Sequence, residues 1–335
     1  MRSTMFILLW LLITVHGISP SRHKILEVER KLKYLRRHSL KTIKMAPTHN
    51  SAKEELTGGS RTSRNGKNSN ESLSVTSQVW QKSGKCGKGT IPVRRIRKRE
   101  LLKAHSIEEY GRKKPSFSHH QHGEVNKNLD SFVQLKNHSV NPSVYGDRQT
   151  RLFVYWTLVL QADGSKESGC FDLTCPGFIQ TSNEIALGAA IHPISIPGDL
   201  PYVITIYIFK DPYTNNWWVQ YGEKTNIGYW PPELFETILY NAQSVEWGGE
   251  VYSTSIGQTP HTATQMGNGQ FASVLEFSSA ITRMRIHDNS EVLKIPELVY
   301  DYSDEYNCYD VWYMSDYIDD PQFYYGGPGR NPKCP

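Results

Sequence analysis

At 335 residues the chain is long enough for one large domain with a prosegment, or for two modest domains. An apolar content of 38% and a mean hydropathy of −0.52 are low for a single compact unit, while 19 Tyr, 11 Phe and 8 Trp gather late, as in an aromatic-rich β domain carrying a polar extension. The net charge of +5 conceals +17 over residues 22–115 (25 Lys/Arg against 8 Asp/Glu) and −13 over 116–335 (12 against 25). Opposite charges on one chain point first to contact between the halves. No zinc spacing or recognition-helix pattern accompanies the basic run, which argues against a nucleic-acid partner.

In chain order, Arg2 followed by the apolar run 5–15 reads as a secretory signal over 1–19, cleaved near Gly17–Ser19. That run is too short for a membrane span, and no later stretch is long enough, so no transmembrane segment is expected. Secretion, to the extracellular space or cell wall with the vacuole as alternative, admits disulfides. It also makes Asn70 (Asn70-Glu71-Ser72) and Asn137 (Asn137-His138-Ser139) glycosylation candidates.

Residues 20–118 read as a basic, partly helical prosegment. The spacing of Ile25, Val28, Leu32 and Leu35 predicts a helix over 25–40. Residues 45–74, rich in Ser, Asn, Gly, Lys and Thr, read as a linker. Residues 79–95 suggest a short hairpin, and 94–103 a basic helix or arm bearing dibasic pairs. Residues 119–143 read as a linker with the remnant of a domain start, and the tract His119-His120-Gln121-His122 is weighed as a linker against a metal site.

From residue 144 to 335 the character is all-β. Residues 151–160 are a nearly continuous apolar and aromatic run, followed by strands expected near 183–191, 203–209, 216–221 and up to Pro231. A short helix is expected at 234–240, then further strands at 251–255, 271–277 and 281–286. Many short strands separated by turn signals predict an antiparallel β-sandwich. Within it, Trp247-Gly248-Gly249-Glu250 and Met266-Gly267-Asn268-Gly269 stand out. Glu250 opens an expected strand directly after two glycines, and a carboxylate held on a rigid strand suits general acid/base chemistry. A solvated edge charge is the plainer alternative.

Five cysteines leave one over. Cys170 and Cys175 can close a local bridge within a turn-rich loop. Pairing Cys308 with Cys334 would staple the Tyr-rich tail to the domain, worth roughly 3 kcal/mol on a chain-entropy estimate. Cys86 is then unpaired.

The stretches 144–157 (VYGDRQTRLFVYWT), 168–190 (SGCFDLTCPGFIQTSNEIALGAA), 217–231 (WWVQYGEKTNIGYWP), 247–253, 264–271 and 323–334 (FYYGGPGRNPKC) resemble the plant neprosin family of secreted, proline-directed glutamic endopeptidases. Residues 31–44 and 77–103 resemble that family's prosegment. The resemblance implies a two-sheet β-sandwich, a prosegment acting as intramolecular inhibitor and removed at acidic pH, and disulfides Cys170–Cys175 and Cys308–Cys334. It also implies a catalytic pair of glutamates acting on proline-containing peptides; the sequence itself shows no Walker-type loop, no dinucleotide glycines and no zinc set beyond the His tract, so no cofactor or metal is expected. Glu250 matches one of the pair. The other belongs to a Glu-Ala-Gly-Trp motif, where this chain carries Leu135-Lys136-Asn137-His138.

A second departure follows Lys44, where the family's prosegment continues through a Cys that would account for the unpaired Cys86. Two gaps at edges that fit the family pattern suggest skipped exons, or a divergent inactive relative. Gln134 lies beside the missing glutamate and is weighed as a water-orienting group against a solvated strand-edge amide. Trp217, Trp218, Tyr229 and Trp230 are candidates for a groove gripping proline, with core packing of the sandwich as the alternative role. An impaired peptidase is therefore expected. The other readings are a secreted binding module for cell-wall glycan or protein, and a chain whose exposed sheet edges prevent folding.

Overall fold

The computed structural model describes residues 22–37, 53–54, 77–84, 86–87, 89–104, 106–108, 110–113, 133–139, 142–158, 168–196, 202–235, 238–288, 292–314 and 320–335. The signal segment, Asn70 and the His tract lie outside them. The first element is the helix α1 (Arg22–Arg37). Its stripe of Val28, Leu32 and Leu35 is buried against α2 (Lys98–Lys103) through Leu101, with Ile107 and Tyr110 completing a small separate core. The i, i+4, i+7 spacing puts those three side chains on one face, as the periodicity predicts.

Between the helices run β1 (Lys53–Glu54) and β2 (Ser77–Gln78); β3 (Arg112–Lys113) follows α2. The hairpin expected over 79–95 is instead a 3-10 turn, Val79–Ser83, followed by a segment without regular structure up to α2. The reason is long-range: Gln78 is buried with its amide paired to both backbone groups of Ala186, Nε2 donating to the carbonyl at 2.8 Å and Oε1 accepting from the N–H at 2.7 Å.

Two four-stranded antiparallel sheets form the sandwich. One joins β3 to β4 (Val133–Ser139), β5 (Arg151–Leu158) and β6 (Ser168–Phe171), in the order β3-β6-β5-β4. The other joins β7 (Ile179–Gln180), β9 (Ile206–Lys210), β10 (Trp217–Tyr221) and β11 (Thr225–Trp230), in the order β7-β11-β10-β9. A one-turn helix α3 (Pro142–Tyr145) precedes β5, and β8 (Ile191–His192) pairs with β2. Strand alternation sorts β5 into two sets. Leu152, Val154 and Trp156 face the second sheet, while Phe153 and Tyr155 pack outward with Val144, Tyr145 and Phe171.

The inward set meets Trp217, Val219, Tyr221, Ile227 and Trp230 in the main core. Ile227 and Trp230 both point inward although three apart, because Val219 pairs with Gly228 and Gln220 with Asn226, leaving Ile227 as the extra residue of a β-bulge. At ~25 cal/mol/Å² and roughly 200 Å² each, burial of Trp156 and Trp230 contributes ~5 kcal/mol apiece before entropy. These rings therefore set the sheet spacing.

The C-terminal part adds β12 (Ser279–Ile281), β13 (Ile286–His287), β14 (Val292–Lys294), β15 (Asp310–Met314) and β16 (Gln322–Gly326). They form the sheets β12-β16-β15 and β1-β14-β13, in which β1 runs parallel to β14. Four expected elements differ here, one being the strand expected at 281–286, of which only the ends lie in strands, Ile281 in β12 and Ile286 in β13. Residues 251–255 are irregular and lead into turns closed by Ile256 N–H to Ser253 O and Gln258 N–H to Ser255 O, so Glu250 does not open a strand. Residues 271–277 hold a 3-10 stretch, Ala272–Phe277, broken into two turns at Leu275 (φ 40, ψ −100), and its first amide donates to the Asp310 carboxylate. The helix expected at 234–240 shrinks to the turn Pro232–Leu234, because Phe235 is drawn extended into the main core and the Ile238 carbonyl accepts from Trp217 Nε1 at 2.8 Å.

Candidate functional site

The two glycine-rich stretches singled out in the sequence meet on the β12-β16-β15 sheet. Gly249 is pressed so closely that a Cβ would lie 2.7 Å from Met266 Cγ and 2.8 Å from Tyr325 Cδ2. Met266 N–H donates to Gly327 O at 3.0 Å, tying the second stretch to the end of β16. Gly267 has φ +61, and a Cβ there would meet Ser279 Oγ at 2.3 Å. That hydroxyl accepts from Asn268 N–H at 3.1 Å, and the Asn268 amide donates to the Phe277 carbonyl. Gly249 thus makes room for the Met266 and Tyr325 side chains, and Gly326 lets the end of β16 approach the Met266 and Gln270 backbone carbonyls, while Gly248 faces open space. Glu250 leaves this junction exposed to solvent.

Phenols surround the same part of the molecule. Tyr302 Oη donates to Glu246 Oε2 at 3.3 Å, and burial together with that carboxylate pushes its pKa up to about 12. Tyr309 Oη donates to Thr264 O at 2.8 Å and is likewise raised to about 12 by burial and Glu305. Burial also raises Tyr325. These hydroxyls remain protonated donors throughout the acidic and neutral range.

The stretch 134–136, singled out in the sequence, lies in β4, where Leu135 and Lys136 pair with Val154 and Phe153, and Gln134 with Tyr155. This strand ends the β3-β6-β5-β4 sheet, so Gln134 and Asn137 both sit on an edge strand. The aromatic candidates are seated inside the sandwich. Trp217 and Trp230 face the main core, and Trp218 stacks on Tyr229 at 4.7 Å with Phe209 on the opposite face of the same sheet. All four are buried, so they take the packing role rather than lining an open groove.

Cys170–Cys175 and Cys308–Cys334 are closed, and Cys86 is a half-buried free thiol. His261 gathers with Cys308 and Cys334, but the two sulfurs are bonded to each other, leaving the imidazole as the one donor of that cluster. Its Nδ1 lies 3.0 Å from Thr262 O. The cluster is therefore no metal centre in this state.

A second polar centre, unforeseen from the sequence, lies where the basic segment meets the domain. Tyr145 is sandwiched between the guanidinium groups of Arg94 (4.8 Å) and Arg151 (4.9 Å), and its hydroxyl donates to Asp172 Oδ2 at 2.6 Å. Asp172 Oδ1 accepts from Val154 N–H at 3.1 Å. Burial raises the Asp172 pKa to about 6, against the opposing pull of the Tyr145 hydroxyl, Arg94, Val154 N–H and Arg151. Arg94 also binds Glu100 Oε2 at 2.8 Å and Tyr110 Oη at 3.2 Å, and Arg151 binds Asp147 at 2.7 Å and Gly188 O. The motif residues Tyr145 and Arg151 are thus buried and held by structure, while Asp147 pairs with Arg151 from a partly exposed position.

No helix among the described residues is long and apolar enough to cross a membrane. A family model described as Neprosin matches residues 115–328, and one described as Neprosin activation peptide matches 33–141, so that 115–141 falls within both.

Proposed function

The chain belongs to the neprosin family, and on that premise we propose that it is a secreted, proline-directed glutamic peptidase whose hydrolytic step is impaired because one of two catalytic glutamates is missing. In the intact mechanism one glutamate takes a proton from the water that attacks the amide carbon, and the other protonates the leaving nitrogen. Two close carboxylates divide their pKa values, so one accepts while the other donates, which gives an acidic optimum. Glu250 is the retained member. The observation that carries the reading is its exposed position beside the Gly248–Gly249 junction within the family match, while Leu135-Lys136-Asn137-His138 occupies β4. One carboxylate cannot take and give a proton in the same step, and loss of one member of such a unit costs on the order of 10²–10⁴ in rate. The activation peptide acts as the chain's own inhibitor until maturation.

One observation favours a second role. Tyr240, Tyr252, Leu298, Tyr300 and Tyr306 are large and well exposed, and such a tyrosine-rich surface supports a non-catalytic module that binds cell-wall glycan or protein. Incubation of the secreted protein with proline-containing peptides at acid pH, beside Glu250→Gln and beside a glycan retention assay, separates the two. Slow cleavage abolished by Glu250→Gln supports the peptidase. Retention on glycan with no cleavage supports the binding module.

A further inference from the structure

We infer that the strap formed by residues 77–113 is a fixed part of the sandwich, and that it stays bound as a separate chain when the link between Lys113 and Val133 is cut. The inference rests on reading the N-terminal part as an inhibitory prosegment, and it says what holds that segment on the domain at neutral pH once the chain is cut, before acid releases it. The strap is built into both sheets' surroundings. β2 pairs with β8 through Gln78 and Ile191, and β3 pairs with β6 through Arg112 and Cys170. Without the strap, β6 would become a free sheet edge, with the open N–H and C=O groups that invite pairing with other chains.

The anchors between those pairings are spread along the whole strap. At its start, the Gln78 amide takes up both backbone groups of Ala186, and Gln81 Nε2 donates to Glu184 O at 2.8 Å. In its middle, Gln180 Nε2 donates to Pro92 O at 3.0 Å. Arg94 stacks on Tyr145, and its Nε would lie 3.3 Å from a Cβ on Gly188, against which Asp172 also packs. At its end, Tyr110 Oη donates to Val144 O at 2.6 Å, and Gly111 O accepts from both Phe171 N–H (2.9 Å) and Thr174 Oγ1 (3.0 Å). A Cβ on Gly111 would strike Thr174 at 2.4 Å, so the close approach is specified by the glycine.

The chemistry of these anchors is mostly neutral. Among the described residues, the ion pairs Arg94–Glu100 and Lys98–Glu29 lie inside the segment and Arg151–Asp147, Arg285–Asp320 and Lys294–Asp288 inside the domain, while Arg94 brings its charge across the join to Tyr145 and the buried Asp172. Salt screens exposed charges within about a Debye length but leaves buried amide pairs and strand pairing nearly untouched. Docking of the strap is therefore a packing and hydrogen-bonding event, resistant to salt.

The test is made on the full chain. A recognition sequence for a site-specific protease is placed between Lys113 and Val133, the folded protein is cut, and the products are separated by gel filtration at neutral pH in ~0.1 M and ~1 M NaCl. The strap-bearing fragment is expected to co-elute with the 133–335 fragment at both salts. Gln78→Ala, which removes a paired amide, is expected to weaken that association by roughly tenfold or more. Elution of the fragment alone from the cut wild-type protein at either salt would overturn the inference. Because the cut is engineered, this outcome is independent of whether the domain hydrolyses any peptide.

Discussion

Asp172 is a buried carboxylate with an unusual titration. Its pKa of about 6 lies above the ordinary 3.8, because burial outweighs the Tyr145 hydroxyl and Arg94. The folded protein therefore holds this proton more tightly than the unfolded chain. The contribution to stability is full below pH ~4, and is lost as pH rises through about 6, amounting to roughly 2–3 kcal/mol across that window. Thermal melts between pH 4 and pH 7 should show a slope that Asp172→Asn removes; an unchanged slope in the variant would contradict the assignment. Gly249 gives a second residue-scale expectation. Gly249→Ala forces a methyl into Met266 and Tyr325 and should cost about 1–3 kcal/mol, read as a lowered denaturation midpoint. Glu250 beside its glycine pair was legible in the sequence because the motif is local. Asp172 was not, since its environment is assembled from Arg94, Tyr145, Arg151 and Gly188, which no window of sequence brings together.

The elements that sequence pattern recovers are those whose burial follows from their own alternation. β5 reads as a strand because 151–160 is a nearly continuous apolar and aromatic run, and β10 because Trp and Tyr crowd 216–221; the period-two burial of Leu152, Val154 and Trp156, and of Trp217, Val219 and Tyr221, then follows from the strand itself. The elements it misplaces are decided by partners far away. Residues 271–277 become a 3-10 stretch under the Asp310 carboxylate, and 234–240 lose their helix to the burial of Phe235. The bulge at Ile227 is likewise invisible, since only the register with β10 reveals the extra residue. In the helical part the stripe on α1 is a testable unit. Leu101→Ala opens a cavity between α2 and Val28, Leu32 and Leu35, and should cost ~2–5 kcal/mol. Hydrogen exchange should then rise in α1 while the β5 and β10 amides keep their protection. Equal loss of protection in both would mean that the helices and the sandwich unfold as one unit.

At the scale of the whole molecule, a basic segment that supplies a helical pair and three short strands is joined to an acidic, aromatic-rich all-β domain. Composition foretold the division and the charge asymmetry, but not that the join would be made by Gln78, Pro92, Gly111 and Tyr110 rather than by ion pairs. Of the two roles weighed for Trp217, Trp218, Tyr229 and Trp230, burial favours packing of the sheets. The central claim is that a neprosin sandwich retaining Glu250 alone is chemically crippled. The most direct measurement is the turnover of a proline-containing peptide at acid pH by the secreted protein and by Glu250→Gln. The account predicts a rate on the order of 10²–10⁴ below the ~10 s⁻¹ of a median enzyme, abolished in the variant. Turnover at or above ~10 s⁻¹, whether or not Glu250→Gln removes it, would mean that another group supplies the second proton transfer, and would contradict the account.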